Sequence, residues 1–326
     1  MKHFCLPVSA ALLLLLPAAL AAQGAGAIAR LDPALDALVD PNARVEKLAG
    51  GLGFLEGPLW MPGGYLLFSD LVSNSVMKYT PGGKVEPFLP KAGYDPDEPT
   101  GGRHVGPNGL VLDGQGRLVI CQQGNRHVIR IEKDGSRTLL AERFEGKHLN
   151  SPNDIVRARD GSLYFTDPPY GLPKQDKDPQ AELAFSGVYR IRDGKLELVT
   201  KDLARPNGLA FSPDEKYLYI TDGRLIKRFD VQKDGSITNG GEFFDMAKVN
   251  PRGGPDGFKV DRRGNLFSSG PGGIIVISPE GKHLGTIPVP ENPANCAFGG
   301  KDGRTLFITA RTGLYSVPLK TSGSLR

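Results

Sequence analysis

The chain has 326 residues, enough for one large β domain or two ordinary ones. Its net charge is only +4, and Lys and Arg are scattered without a basic block, which argues against a nucleic-acid partner. The 43 Gly and 27 Pro follow no collagen-like period and point to a turn-rich all-β fold.

Residues 1–21 read as a secretory signal. Lys2 and His3 lead an apolar stretch with five consecutive Leu at 12–16, and Ala19-Leu20-Ala21 supplies small residues for cleavage. Pro7, Pro17 and the short apolar core argue against a retained anchor. The chain is therefore expected to be exported, periplasmic in a Gram-negative bacterium and secreted otherwise, with no membrane association after cleavage. Cys5 lies in this segment without the context of a lipoprotein cysteine. Residues 22–42 are expected to form an N-terminal extension with one candidate helical turn at 33–38, and residues 43–326 the folded domain.

Within that domain a short phrase recurs six times, each with an oxygen-bearing side chain at the same place: Glu56 in LEGPLW, Asn108 in GPNGLVL, Asn153 in SPNDIV, Asn207 in RPNGLAF, Asp256 in GPDGFKV and Asn295 in NPANCAF. The intervals run from 39 to 54 residues, the spacing of β-propeller blades. After Asn207 the pattern predicts strands at 208–213, 217–221 and 225–231, then a fourth toward Phe243. After Asn153 it predicts strands at 153–156, 163–166, 187–191 and 196–199. The last repeat has strands at 306–309 and 313–318 and no fourth. Residues 43–48, ahead of the first marker, can supply it and so remove two exposed sheet edges. A six-bladed β-propeller is predicted, its last blade closed by an N-terminal strand. A seventh blade would lack a marker, and an open solenoid would leave both ends uncapped.

Because each marker starts an innermost strand, all six side chains belong at one end of the central channel. The long connections 90–106, 143–152 and 168–186 return to that end and are expected to overhang its mouth. Cys121 and Cys296, in distant apolar runs, are expected to be separate buried thiols. His104, His127, His148 and His283 are scattered; His104 and His148 fall on mouth loops. No GxSxG elbow occurs.

Two carboxylates and four amides without His or Cys form an oxygen-only donor set. Such a set suits one hard divalent cation, Ca²⁺ first, with Mg²⁺, Mn²⁺ or Zn²⁺ as alternatives. The competing reading makes PNG and PDG simple turns whose side chains cap local amides. That suffices for Asn108 and Asn295 but explains Glu56 poorly. At the ends of the second strands stand Asp70, Gln122, Asp167 and Asp222, placed either to orient ligands from behind or to cap loops. Metal-assisted hydrolysis is the chemistry such a ring favours, with Asp256 as proton acceptor.

LEGPLW, NSPNDI followed by LYFTDPPYGL, RPNGLAFSPD and PDGFKVD resemble the calcium-dependent gluconolactonase and senescence-marker-protein (regucalcin) family, above all its exported bacterial gluconolactonases. The resemblance runs from about residue 50 to the C-terminus. It implies one catalytic divalent ion held by Glu56, Asn153, Asn207 and Asp256, with Asp256 also the acid/base residue and Asn153 also against substrate. The implied reaction opens a sugar lactone with water, D-glucono-1,5-lactone first. Mammalian members carry an Arg where this chain has Ser151, so Arg103, Tyr170 and Asn108 become the other candidate substrate contacts. The alternatives are a phosphotriesterase or aryl-ester hydrolase of the same fold, or a non-catalytic exported sugar-binding propeller. A quinone-dependent sugar dehydrogenase lacks the expected basic and His cluster.

Overall fold

Short apolar runs cut by polar turns reverse the chain again and again, and the strands they form pair antiparallel in sequence order. The computed structural model describes Met1 and residues 26–95 and 105–324. Blade 1 comprises Leu55–Met61, Tyr65–Asp70, Ser75–Tyr79 and Val85–Pro90, and blade 2 comprises Pro107–Leu112, Leu118–Gln122, His127–Ile131 and Arg137–Ala141. Blade 3 is Ile155–Arg157, Leu163–Asp167, Ser186–Arg192 and Lys195–Leu203; blade 4 is Pro206–Phe211, Tyr217–Asp222, Leu225–Val231 and Ile237–Asp245. Blade 5 contains Phe258–Val260, Leu266–Gly270, Gly273–Ile277 and His283–Pro288; blade 6 contains Pro293–Gly299, Thr305–Ala310 and Gly313–Pro318.

The first strands of successive blades touch in a closed cycle, with that of blade 6 meeting that of blade 1. This is the six-bladed propeller expected from the repeats. Its core lies between the faces of adjacent blades. Leu67 and Val76 of blade 1 pack on Leu110 and Ile120 of blade 2, and Val188 of blade 3 packs on Leu209 and Ile220 of blade 4. Each such side chain contributes about 1.5–3 kcal/mol through burial.

Blade 6 takes its fourth strand from Glu46–Ala49, paired as Glu46↔Ser316 and Lys47↔Tyr315. The strand begins later than the expected 43–48 because Ala43 turns into the core between blades 5 and 6. Glu291 fastens this closure. Its carboxylate accepts from Lys47 Nζ (3.1 Å), Tyr315 OH (2.7 Å), Thr312 Oγ1 (2.8 Å) and Thr312 N (2.9 Å). Burial works against the charged form, but these donors outweigh it and hold Glu291 down to about 2. A lowered folded pKa gives stability that is present above the unfolded value of about 4.3 and lost as pH falls toward 2. Glu291→Gln should therefore cost about 1 kcal/mol at pH 7, with the gap closing between pH 4 and 2. Urea unfolding across that range checks this; a gap independent of pH would remove the carboxylate from the closure.

One element differs from the sequence expectation. Ala29–Arg30 adds a fifth strand to blade 5, pairing Ala29↔Thr286 and Arg30↔Gly285. The turn Pro33–Ala37 is a 3-10 helix capped by Asp32, and with the residues after it drives Leu35, Leu38 and Val39 into the core between blades 5 and 6. A two-residue strand carries no alternation, so only its packing reveals it. Cys121 and Cys296 are buried and unpaired with each other. The expected signal segment beyond Met1, and mouth residues Arg103 and His104, lie outside the described residues.

Candidate active site

The marker positions are fixed by stitches between blades. Ser69 Oγ of blade 1 donates to the Asn108 carbonyl of blade 2 (2.6 Å). Thr166 Oγ1 of blade 3 donates to the Asn207 carbonyl of blade 4 (2.7 Å), and Thr221 Oγ1 of blade 4 to the Asp256 carbonyl of blade 5 (2.9 Å). The Gly after most markers makes this approach possible. A Cβ on Gly57 would stand 2.0 Å from the Asn108 carbonyl oxygen, and one on Gly208 2.5 Å from that of Asp256. Blade 3 departs from the rule, because Asp154 follows Asn153 there. Its buried carboxylate accepts from Ile155 N at 2.9 Å, and its Oδ2 lies 3.5 Å from Asn295 Nδ2 in the opposite blade.

Three carboxylates therefore share one end of the channel. Burial and the nearby Asp256 charge push Glu56 far above the usual carboxylate range; Asp154 adds to this, while N–H groups of Gly57 (3.0 Å) and Asn295 (3.2 Å) oppose it. Burial and Asp154 push Asp256 up to about 7, against a hydrogen bond from the Asn207 side chain. No ion pair among the described residues engages Glu56, Asp154 or Asp256; Lys227, for example, pairs with Asp222 instead (2.9 Å). Glu56, Asn108, Asn153, Asp154 and Asn295 are buried, while Asn207 and Asp256 stay half-buried, so the ring opens on the side of blades 4 and 5.

At that opening sits Tyr170, from the connection 168–186. The Tyr170 hydroxyl donates to the Arg205 carbonyl (3.5 Å), and the Asn207 side chain favours the ionised forms of both Asp256 and Tyr170. Burial and the Asp256 charge push Tyr170 up to about 12, so it stays a neutral hydroxyl. Ser151 explains why Tyr170 is there. Its Oγ donates to Pro168 O (2.5 Å) and accepts from Gly171 N (2.8 Å), pinning the segment on either side of Tyr170 to the strand entry of Asn153. The residue that departs from the mammalian pattern thus shapes the mouth from within the protein.

The second-strand Asp residues hold the chain that leads into three of the markers. Asp167 accepts from Asn150 N (2.7 Å) and Ser151 N (2.8 Å), just ahead of Asn153. Asp222 accepts from Arg205 N (2.8 Å), just ahead of Asn207, and Asp70 accepts from Gly53 N and Phe54 N, ahead of Glu56. Burial pushes Asp167 up to about 7 despite those two N–H groups. His148 faces Glu182 rather than the ring (Nδ1 to Oε1, 2.5 Å). Burial pushes Cys296 up to about 12 and Cys121 well above its ordinary range, so neither offers a thiolate nucleophile.

The ring fits a hard cation. Its donors are all oxygens, and among the described residues its carboxylates have no cationic side-chain partner and the buried Asn108 Oδ1 has no hydrogen-bond partner. Among the described residues no group of three or more Asp, Glu, His or Cys is arranged to hold a metal by itself, so a cation here must also draw on Asn oxygens. A cleft of about 450 Å³ beside the connection 168–186 is a separate feature, lined by Asn150, Asp176, Phe185 and Lys201 and by no marker residue.

One carboxylate, Asp154, is not singled out by the repeat, and the marker Asn295 has a role that the repeat alone does not show. Asp154 is signalled only by an acid where other repeats carry Gly or a small residue. Asn295, consistent with a turn when read locally, does accept from Cys296 N (2.9 Å) but also donates to Glu56 and Asp154.

Residues 54–312 match the family described as SMP-30/Gluconolactonase/LRE-like region. The chain is 38% identical over 315 residues to a gluconolactonase from Zymomonas mobilis, covering 91% of this chain and 87% of that protein. The structure superimposes on a gluconolactonase from Xanthomonas campestris with TM-score 0.78 and 37% identity, covering 90% of this chain and 95% of that one. It also matches the fold of regucalcin, a calcium-binding protein from Agrobacterium tumefaciens, with TM-score 0.68 and 19% identity over 84% of this chain and 92% of that one.

Proposed function

This chain belongs to the SMP-30/gluconolactonase/LRE-like family and is a lactone hydrolase, and from that premise we propose that it opens D-glucono-1,5-lactone to gluconate with the help of one divalent cation, Ca²⁺ first. The observation that carries this reading is the gathering of Glu56, Asp154 and Asp256 with Asn amides, without a cationic side-chain partner among the described residues, at the channel end that opens toward Tyr170. Glu56, Asn153, Asn207 and Asp256 would hold the cation, with Asn108 Oδ1 as a further oxygen. When bound there, a hard divalent cation polarises the lactone carbonyl and offsets negative charge on its oxygen.

The protein's own residues do the rest. Asp256 is the accessible carboxylate, and a nearby positive charge favours its ionised form, which is what a base needs near neutral pH. It takes a proton from the attacking water as the new C–O bond forms at the carbonyl carbon. It then returns that proton to the ring oxygen as the original ester bond breaks, so the hydroxy acid leaves with atoms and charge balanced. The Asn207 amide holds the Asp256 carboxylate in place, Asn153 supports the substrate side, and Tyr170 supplies a neutral hydroxyl to sugar oxygens at the mouth.

Purified protein should acidify a weakly buffered gluconolactone solution well above the spontaneous rate, and should leave a phosphotriester and an aryl acetate essentially untouched. Faster turnover of either control than of the lactone would overturn the substrate assignment.

A further inference from the structure

The ring amides differ in what surrounds them, and a lysine from the neighbouring blade sets part of that difference. Asn295 Oδ1 accepts from Cys296 N at 2.9 Å and from Lys259 Nζ at 3.2 Å. Both are donors with no acceptor capacity, so the amide oxygen must face them. Nδ2 must then face the other way, where Glu56 Oε2 lies at 3.2 Å and Asp154 Oδ2 at 3.5 Å. The flipped amide would set NH₂ against two donors and its oxygen against two carboxylates. Lys259 is itself anchored, because its ammonium also donates to the Phe258 carbonyl (3.1 Å). Asn108 shows the opposite condition, with its oxygen buried and unclaimed among the described residues.

We propose that Lys259 is a positioning residue that locks the Asn295 amide as a donor to Glu56 of blade 1 and Asp154 of blade 3. The lock ties two carboxylates from separate blades to a third blade. It also withdraws Asn295 from the oxygen ligands, because the group it presents to the channel is NH₂. The inference rests on the lactonase reading of the ring for its catalytic consequence, while the hydrogen-bond network itself is made of protein groups alone.

A double-mutant cycle of Lys259→Met and Asn295→Ala tests it, read in kcat and KM on gluconolactone and in urea unfolding of the metal-free protein. Lys259→Met should lower kcat about tenfold with KM changed less than about twofold, and Lys259→Arg should recover most of the loss. In the Asn295→Ala background the same lysine change should alter kcat by less than about twofold, and the unfolding constants should be non-additive by about fivefold or more. Equal losses in both backgrounds, or wild-type kcat in Lys259→Met, would overturn the proposal. If Lys259→Met does not fold, Asn295→Asp replaces it: this change keeps an acceptor for Lys259 but has no N–H for Glu56, and wild-type kcat there would equally overturn the lock. A wild-type protein without lactonase activity would instead overturn the functional reading, and the unfolding cycle would still decide the network.

Discussion

Replacing Asp256 by Asn should lower kcat on gluconolactone by about 10²- to 10⁴-fold while the protein stays folded. The side chains are nearly isosteric, so what is lost is the site that accepts and returns the proton. The same change should strengthen the metal-free protein. Burial and Asp154 raise Asp256 to about 7, so its ionised form is disfavoured in the folded state. A group with a raised folded pKa draws stability away as pH climbs from its unfolded value of about 3.9 through 7. The amide of the Asp256→Asn variant carries no charge, so its advantage in urea should be small at pH 5 and larger at pH 8. Turnover near wild type would remove Asp256 from the chemistry, whatever the stability shows. Opposite signs for rate and stability are expected where a site gathers like charges for function.

Removing divalent cations should reduce activity by at least about 10³-fold, and added Ca²⁺ should restore it. The physical ground is the unpaired negative charge of the ring. Glu56 is pushed far above its ordinary range by burial and by Asp256, and neither finds a cationic partner among the described residues. A cation that binds only the folded state also stabilises it, by about 4 kcal/mol at a thousandfold excess over its Kd. Melting should therefore rise by several degrees with Ca²⁺, an effect readable without substrate. Full activity after exhaustive chelation, with an unchanged melting point, would sink the cation-dependent mechanism.

Much of this architecture was legible in the chain. The third strand of blade 4 falls at Leu225–Val231, where alternation and flanking turns place it, and the short last repeat points to an N-terminal strand, found at Glu46–Ala49. Local pattern fails where the information is not local. Ala29–Arg30 is too short for any periodicity, and it is held by Leu35 and Leu38 packing behind it. The role of Ser151 depends on a segment some twenty residues later, against which its side chain folds. Lys259 reads as an ordinary strand lysine until the next blade places Asn295 within reach. The repeat revealed where oxygens gather, but amide orientation depends on donors contributed from other blades.

The closing strand also sets a timetable. Lys47 and Glu291, which fasten it, are 244 residues apart in the chain. The segment made early is paired late, because Glu46–Ala49 has no sheet partner until Gly313–Pro318 exists. Blades 1 to 4 draw all their strands from neighbouring sequence, whereas blades 5 and 6 wait for the two ends to meet. Closing so long a loop is slow relative to forming hairpins. Refolding should thus end in a distinct late phase, and only in that phase do Glu56, in blade 1, and Asn295, in blade 6, come within hydrogen-bonding distance.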